Sequence, residues 1–174
     1  MTAFQGKSGL DLDHELLEST ISGTITGLQM ADVVPRPVGA SCLVSARHTL
    51  SILVGMVGRH SGNMALNLSE VAVLYLAGRL LGEPQREINE DSIDAIMEIG
   101  NMVAGAIKKP LRSSGYEIEQ VSLPSLIMGQ SYNMVYARGI RSISVEFDLP
   151  DLPFNSMTNR FFTTSVSLLR GSGS

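Results

Sequence analysis

Residues 88–109 constrain this chain more than any other stretch, because they read as one long amphipathic helix with a marked start. Asn89 suits the N-cap, and Glu90 and Asp91 follow in the first turn, where the helix dipole favours negative charge. Ile93, Ile96, Ile99, Val103 and Ile107 recur at helical spacing and form one apolar face. At about 100° per residue, Asp94, Glu98, Asn101 and Gly105 fall in a narrow stripe almost opposite that face. A solvated helix face more often carries Lys and Glu in i,i+4 pairs. Here the carboxamide lowers helix propensity, and the glycine costs about 1 kcal/mol relative to alanine. The helix gains nothing from either residue, which makes the stripe a candidate site.

Around this helix the pattern alternates between helical and extended. Residues 12–30 place Leu17, Ile21, Ile25 and Leu28 on one helical face, against the low propensity of Ser19, Thr20, Ser22, Thr24 and Thr26. Gly23 and Gly27 weaken that helix further but would let another element approach closely. Pro35 and Pro37 lead into an extended segment, with a strand expected over 38–45. A hairpin follows: a strand over 49–58, a turn at 59–63 and a return strand from Met64 to Leu68. Ser69 caps a helix over 70–81, with Val71, Leu74 and Leu81 expected inward, and Gly82 and Pro84 close it. Pro110 is expected to end or kink the long helix, and Gly115 to stop it. Strands are expected at Glu117–Leu123, Tyr132–Arg138, Ser142–Leu149 and Phe161–Leu169, with a rigid loop at Pro150-Asp151-Leu152-Pro153 and Asp148 read with that loop. The order helix, strands, two helices, strands implies an α+β fold, with long helices packed on one face of a largely antiparallel sheet.

Length and composition narrow the class of function. The chain has 174 residues, of which 44% are hydrophobic and 17% charged, as expected for one globular domain over 11–169 with flexible ends at 1–10 and 170–174. The net charge of −4 and a single small basic cluster, Lys108, Lys109 and Arg112, argue against nucleic-acid binding. One cysteine, Cys42, excludes an internal disulfide and a Cys-based metal cluster; its place in the expected 38–45 strand suggests a buried side chain. His14, His48 and His60 lack metal-ligand spacing and read as surface or structural residues. There is no signal-peptide pattern and no apolar run near 18 residues, so a cytoplasmic protein without a membrane span is expected.

The spacing Asp94-x3-Glu98-x2-Asn101, followed after 22 intervening residues by Pro124, resembles the motif of the CheC/CheX/FliY family of chemotaxis phosphatases. Gly100 and Gly105 also stand as in that family's helix. Looser resemblance extends over residues 12–168, with Met97 standing where the family often has Asn. The resemblance implies two long helices side by side on the sheet and a phosphatase acting on the aspartyl phosphate of a CheY-like response regulator. It implies that Mg²⁺ sits on the partner receiver domain, with no cofactor on this chain. Asn101 then orients the attacking water, Glu98 pairs with a lysine of the receiver, and Asp94 and Gly105 contribute to docking. Pro124 is a structural fixture after the helix. Two-site members carry a second Glu-x2-Asn on the first helix; here Glu15-Leu-Leu-Glu18 occupies that place. An ionised carboxylate cannot donate a hydrogen bond, so the first helix reads as structural and the pattern as CheX-like, with a homodimer expected. The alternative is a non-catalytic module of the same fold that binds a response regulator or a flagellar-switch component.

Overall fold

The computed structural model describes residues 12–129, 132–153 and 158–169; the ends expected to be flexible, 1–10 and 170–174, lie outside them. Helix α1 (His14–Gln29) is followed by strands β1 (Arg36–Ser41), β2 (Ser45–Ala46), β3 (Leu50–Gly58) and β4 (Gly62–Leu68). Helices α2 (Glu70–Leu81) and α3 (Glu90–Arg112) come next, then β5 (Ile118–Val121), β6 (Ser125–Met128), β7 (Tyr132–Asn133), β8 (Ile140–Asp148) and β9 (Phe161–Leu169). The main sheet has the order β1-β8-β9-β4-β3-β5, and β6 also pairs with β3, beside β5. Every strand pairing among the described residues is antiparallel. α1 lies against β1, β8 and β9, and α3 against β3, β5 and β6, so the two long helices cover one face.

Alternation along the strands builds the core under those helices. Ile52, Val54 and Met56 of β3, Met64, Leu66 and Leu68 of β4, Ile143, Val145 and Phe147 of β8, and Phe162, Val166 and Leu168 of β9 are buried. The Phe147 and Phe162 rings stack with centroids 5.3 Å apart. The opposite face is small and polar. Ser142 meets Ser167 at 2.9 Å and Ser144 meets Ser165 at 2.8 Å across β8 and β9. Asn67 ties β4 to the entry of β3: its Nδ2 donates to the His48 and Leu50 carbonyls, and its Oδ1 accepts from the His48 amide.

α3 forms for the reasons its sequence indicated. Asn89 Oδ1 accepts from the Ser92 amide at 2.9 Å, and Ser92 Oγ accepts from the Asn89 amide at 2.8 Å, a reciprocal cap. The helix continues through Pro110 to Arg112 rather than ending there, since a proline in the last turn forfeits only one hydrogen bond. α1 is set against α3 with its glycines inward. A Cβ at Gly23 would lie 2.6 Å from the Ile107 Cα, and one at Gly27 would lie 2.6 Å from the Val103 Cα. The two helices are therefore antiparallel and in near backbone contact. On the third side, a Cβ at Gly100 would lie 2.5 Å from Ile52 Cγ2, which seats α3 directly on β3.

Several expectations require correction. The buried face of α1 is Leu16, Ser19, Thr20, Gly23, Thr24, Gly27 and Leu28; Leu17, Ile21 and Ile25 are only half buried. Thr20 and Thr24 enter the interior because their hydroxyls donate to the Leu16 and Thr20 carbonyls at 2.6 and 2.7 Å, while Thr24 also meets Thr164 of β9 at 3.1 Å. α2 buries Ala72, Val73, Leu76 and Ala77, whereas Val71 and Leu74 are half exposed and Leu81 is exposed. The expected 38–45 strand divides into β1 and β2, which belong to different sheets, and Cys42 between them is exposed rather than buried. Strand pairing at Tyr132–Arg138 stops at Asn133, because its partner β2 has only two residues. β6 was not expected; it fills the edge of β3 from Leu50 to Leu53. Asp148 ends β8 instead of opening a loop, and its carboxylate grips buried Arg160 through bonds of 2.5 and 2.8 Å.

Two tests follow from this packing. Gly27→Ala should lower stability by at least about 1–3 kcal/mol in urea denaturation, because backbone cannot yield as a side-chain tip can. His48 is held below the usual imidazole pKa of 6.5, chiefly by burial, against a smaller opposing hydrogen bond at Phe161. Its neutral form favours the fold above that value, and the contribution is lost as the pH falls from there through the lowered folded value. His48→Gln should therefore flatten the fall of stability with pH in that window.

Candidate functional site

α3 carries the site because three of its sides are occupied. α1 takes one side, α2 packs on another and β3 lies beneath. What remains is the stripe expected from the spacing. Asp94 and Glu98 are exposed, and Asn101 and Gly105 are partly so. Side chains at i,i+3 and i,i+4 on a helix stand with Cβ atoms about 5–6 Å apart, so Asp94, Glu98 and Asn101 form a continuous polar ridge. Among the described residues none forms a hydrogen bond or ion pair with these three side chains. Gly105 ends the ridge, and a Cβ placed there would meet nothing within 4 Å. It differs from Gly23, Gly27 and Gly100, whose missing Cβ atoms admit neighbours within the molecule. The space over Gly105 opens outward.

The antiparallel register fixes what flanks the ridge. Gly27 lies against Val103, so the last turn of α1, with exposed Gln29 and Met30, comes level with Glu98 and Asn101. Ser22 and Thr26 of α1 are exposed beside Gly105. At the other end, Glu15 Oε1 accepts from the Gly115 amide at 3.4 Å, which places Glu15 and Glu18 near the basic last turn of α3. The carboxylates of the Glu15–Glu18 echo thus lie at the opposite end of the helical layer from Glu98 and Asn101. Pro124 sits between β5 and β6, where its lack of an N–H separates the two short strands along the edge of β3. Beside it Leu123 is 88% exposed. That apolar side chain, close to elements that pack on α3, had no distinguishing signal in a sequence window that simply alternates.

A carboxylate, a carboxamide and an uncovered glycine can hold a cationic partner group, orient a water and admit a partner backbone. Among the described residues no group of three or more His, Cys, Asp or Glu could hold a metal ion, and no helix is long and apolar enough to cross a membrane.

Comparison with known proteins bears on the family. A family model described as "Chemotaxis phosphatase CheX" matches residues 50–148, which include β3, β4, α2, α3 and β8. The "CheY-P phosphatase CheX" of Thermotoga maritima is 25% identical over 104 residues, covering 59% of this chain and 63% of that protein. The matched stretch thus spans less than two thirds of that relative. A crystal structure of a putative chemotaxis protein from Desulfovibrio vulgaris Hildenborough superposes with a TM-score of 0.73 at 24% identity, covering 88% of this chain and 96% of that one. The CheX of a CheX–CheY–BeF3–Mg²⁺ complex from Borrelia burgdorferi has a TM-score of 0.65 at 19% identity, covering 92% of this chain and 99% of that one. With the family match covering more than half of its length, this chain belongs to the chemotaxis phosphatase CheX family.

Proposed function

We propose that this chain is a protein phosphatase that hydrolyses the aspartyl phosphate of a CheY-like response-regulator receiver domain. The observation that carries the reading is the pairing of Glu98 and Asn101 on the open edge of α3, with no partner for either side chain among the described residues. Both groups are held by a rigid helix and left available. The relatives named above, one a CheY-P phosphatase and one in complex with CheY, support the choice of substrate.

The chemistry asked of this chain is small, because an acyl phosphate is already activated. Water attacks phosphorus, the bond from phosphorus to the aspartyl oxygen breaks, and inorganic phosphate leaves a free carboxylate. Mg²⁺ belongs to the receiver's side of the complex and balances charge on the phosphoryl oxygens there. Asn101 can accept from and donate to the water without adding charge, which suits a group that sets the direction of attack. Glu98, one turn earlier, anchors a cationic side chain of the receiver, and Asp94 extends that anchor. Gly105 leaves room for the partner's backbone. The reaction is placed in the cytoplasm, where response regulators act, and nucleic acid has no part in it.

We also propose a homodimer. The main sheet ends in β1 on one side and in β5 and β6 on the other, and β1 is exposed along nearly its whole length. Open strand edges favour pairing or cover. Sedimentation at micromolar concentration should give a two-subunit mass; a monomer there counts against this assembly.

The catalytic assignment is tested with a phosphorylated receiver domain under single-turnover conditions. Asn101→Ala should lose about a hundredfold or more in rate, the effect of removing one preorganised group worth roughly 3–4 kcal/mol. Glu98→Ala should weaken binding to a receiver carrying a phosphoryl mimic more than Asn101→Ala does, and salt should weaken the wild-type complex. Neither change should move the melting temperature much. Gly105→Ala should raise stability by up to about 1 kcal/mol while lowering turnover, since the new methyl suits the helix and obstructs the partner. Equal turnover by wild type and Asn101→Ala would sink the catalytic reading, and retained binding in that case would leave a docking module.

A further inference from the structure

α2 turns Ala72, Val73, Leu76 and Ala77 to the core, and among the described residues nothing packs over its other flank. Val71, Leu74 and Tyr75 on that flank floor an open cavity of about 710 Å³. The turn after α2 makes the wall. Gly82 takes φ +76°, and the chain then runs back over Gly78, where a Cβ would lie 3.1 Å from the Glu83 carbonyl oxygen. A second cavity of about 390 Å³ shares Val71 and Leu74 and reaches Glu70 and His48. A third, of about 410 Å³, shares Glu70 and ends at Ile88 and Met128. The linings of these cavities follow one another along α2 from Gly82 back to Glu70, so this flank is grooved over the 12 residues of the helix, about 18 Å at 1.5 Å per residue. No residue of the α3 ridge lines these cavities.

The groove is too long for one small ligand and matches about three turns of helix. Its rim is acidic. Asp32, Glu70 and Glu83 line it against a single guanidinium, Arg79, which is already taken by the Asp32 side chain and by the Asp32 carbonyl at 2.7 Å. Tyr75 donates to Asp151 at 2.9 Å, which fixes its ring on the floor. An apolar floor three turns long with a carboxylate at each end is complementary to an amphipathic helix that carries basic residues near both ends.

We propose that this groove is a second docking surface, separate from the phosphatase edge, for a helical segment of a partner protein. That segment presents apolar side chains at i, i+3 and i+4 to α2 and lysine or arginine to Glu70 and Glu83.

The test uses the full chain and two fluorescein-labelled synthetic helical peptides. Both carry leucine along one face; one has lysine near both ends and the other glutamate. Anisotropy should show binding of the lysine peptide alone. Leu74→Asp should weaken it by at least about tenfold, as loss of a central apolar anchor does. A Glu70→Gln/Glu83→Gln double variant, which leaves the floor intact, should weaken it severalfold and flatten its salt dependence. All variants should keep the wild-type circular dichroism and the wild-type rate of phosphate loss from a receiver. Equal binding of both peptides, binding of neither, or displacement of the lysine peptide by a phosphorylated receiver would overturn the proposal. So would a change in sedimentation on Leu74→Asp, which would assign the groove to a second copy of this chain. The peptide-binding and sedimentation readouts do not depend on turnover, so their failure leaves the phosphatase reading untouched.

Discussion

Two absent β-carbons on α1 allow the rest of the arrangement. Gly23 and Gly27 bring α1 against the backbone of α3 at Ile107 and Val103, and Gly100 lets α3 settle onto Ile52 of the sheet. Close packing of this kind leaves no alternative rotation for α3: turning it would push Asp94 or Glu98 into an interior where no partner waits for a carboxylate. The polar ridge is thus fixed by what lies behind it. A rigid helix also fixes where Asn101 stands, which suits the geometric role proposed for its side chain.

The same constraint explains the uneven readability of the sequence. α3 was legible because a cap, an apolar face and a polar stripe agree, and β9 because Phe162, Val166 and Leu168 alternate with Thr163, Ser165 and Ser167. α1 was read as a helix but rotated, since apolar content does not mark its inner face. Glycines and self-bonded threonines do, and they matter only once α3 is in place. α2 is apolar on nearly every side, so its sequence could not say whether Val71 and Leu74 or Val73 and Leu76 face inward. β6 and β7 are created by their partners: four residues next to a proline become a strand because β3 has a free edge. The pairing of Asp148 with Arg160 joins the end of β8 to the residue before β9, and no local pattern marks the two as partners.

Within the candidate site, Asp94, Glu98, Asn101 and Gly105 were all legible, and the structure places them together on one open edge. What a single helix could not reveal is the ridge's surroundings. Gln29 and Met30 level with Glu98, and exposed Leu123 near the sheet edge, come from other parts of the chain. They reach the vicinity of α3 through its contacts with α1, β5 and β6. The acidic groove on α2 has a similar origin, since Asp32 and Glu83 converge on it from two different turns. One helical layer thus presents two surfaces of different character, a bare polar ridge and an apolar channel between carboxylates.

The central claim is that the Asn101 carboxamide meets the phosphoryl group of an activated receiver. The side-chain NH₂ signals of Asn101 in a ¹H–¹⁵N spectrum, assigned through their loss in Asn101→Ala, report on this directly. The account predicts that these signals shift or broaden when a Mg²⁺- and BeF3-loaded receiver is added, and stay nearly unchanged with the same receiver lacking BeF3. Unmoved Asn101 signals in the presence of a receiver that binds elsewhere on the chain would contradict it.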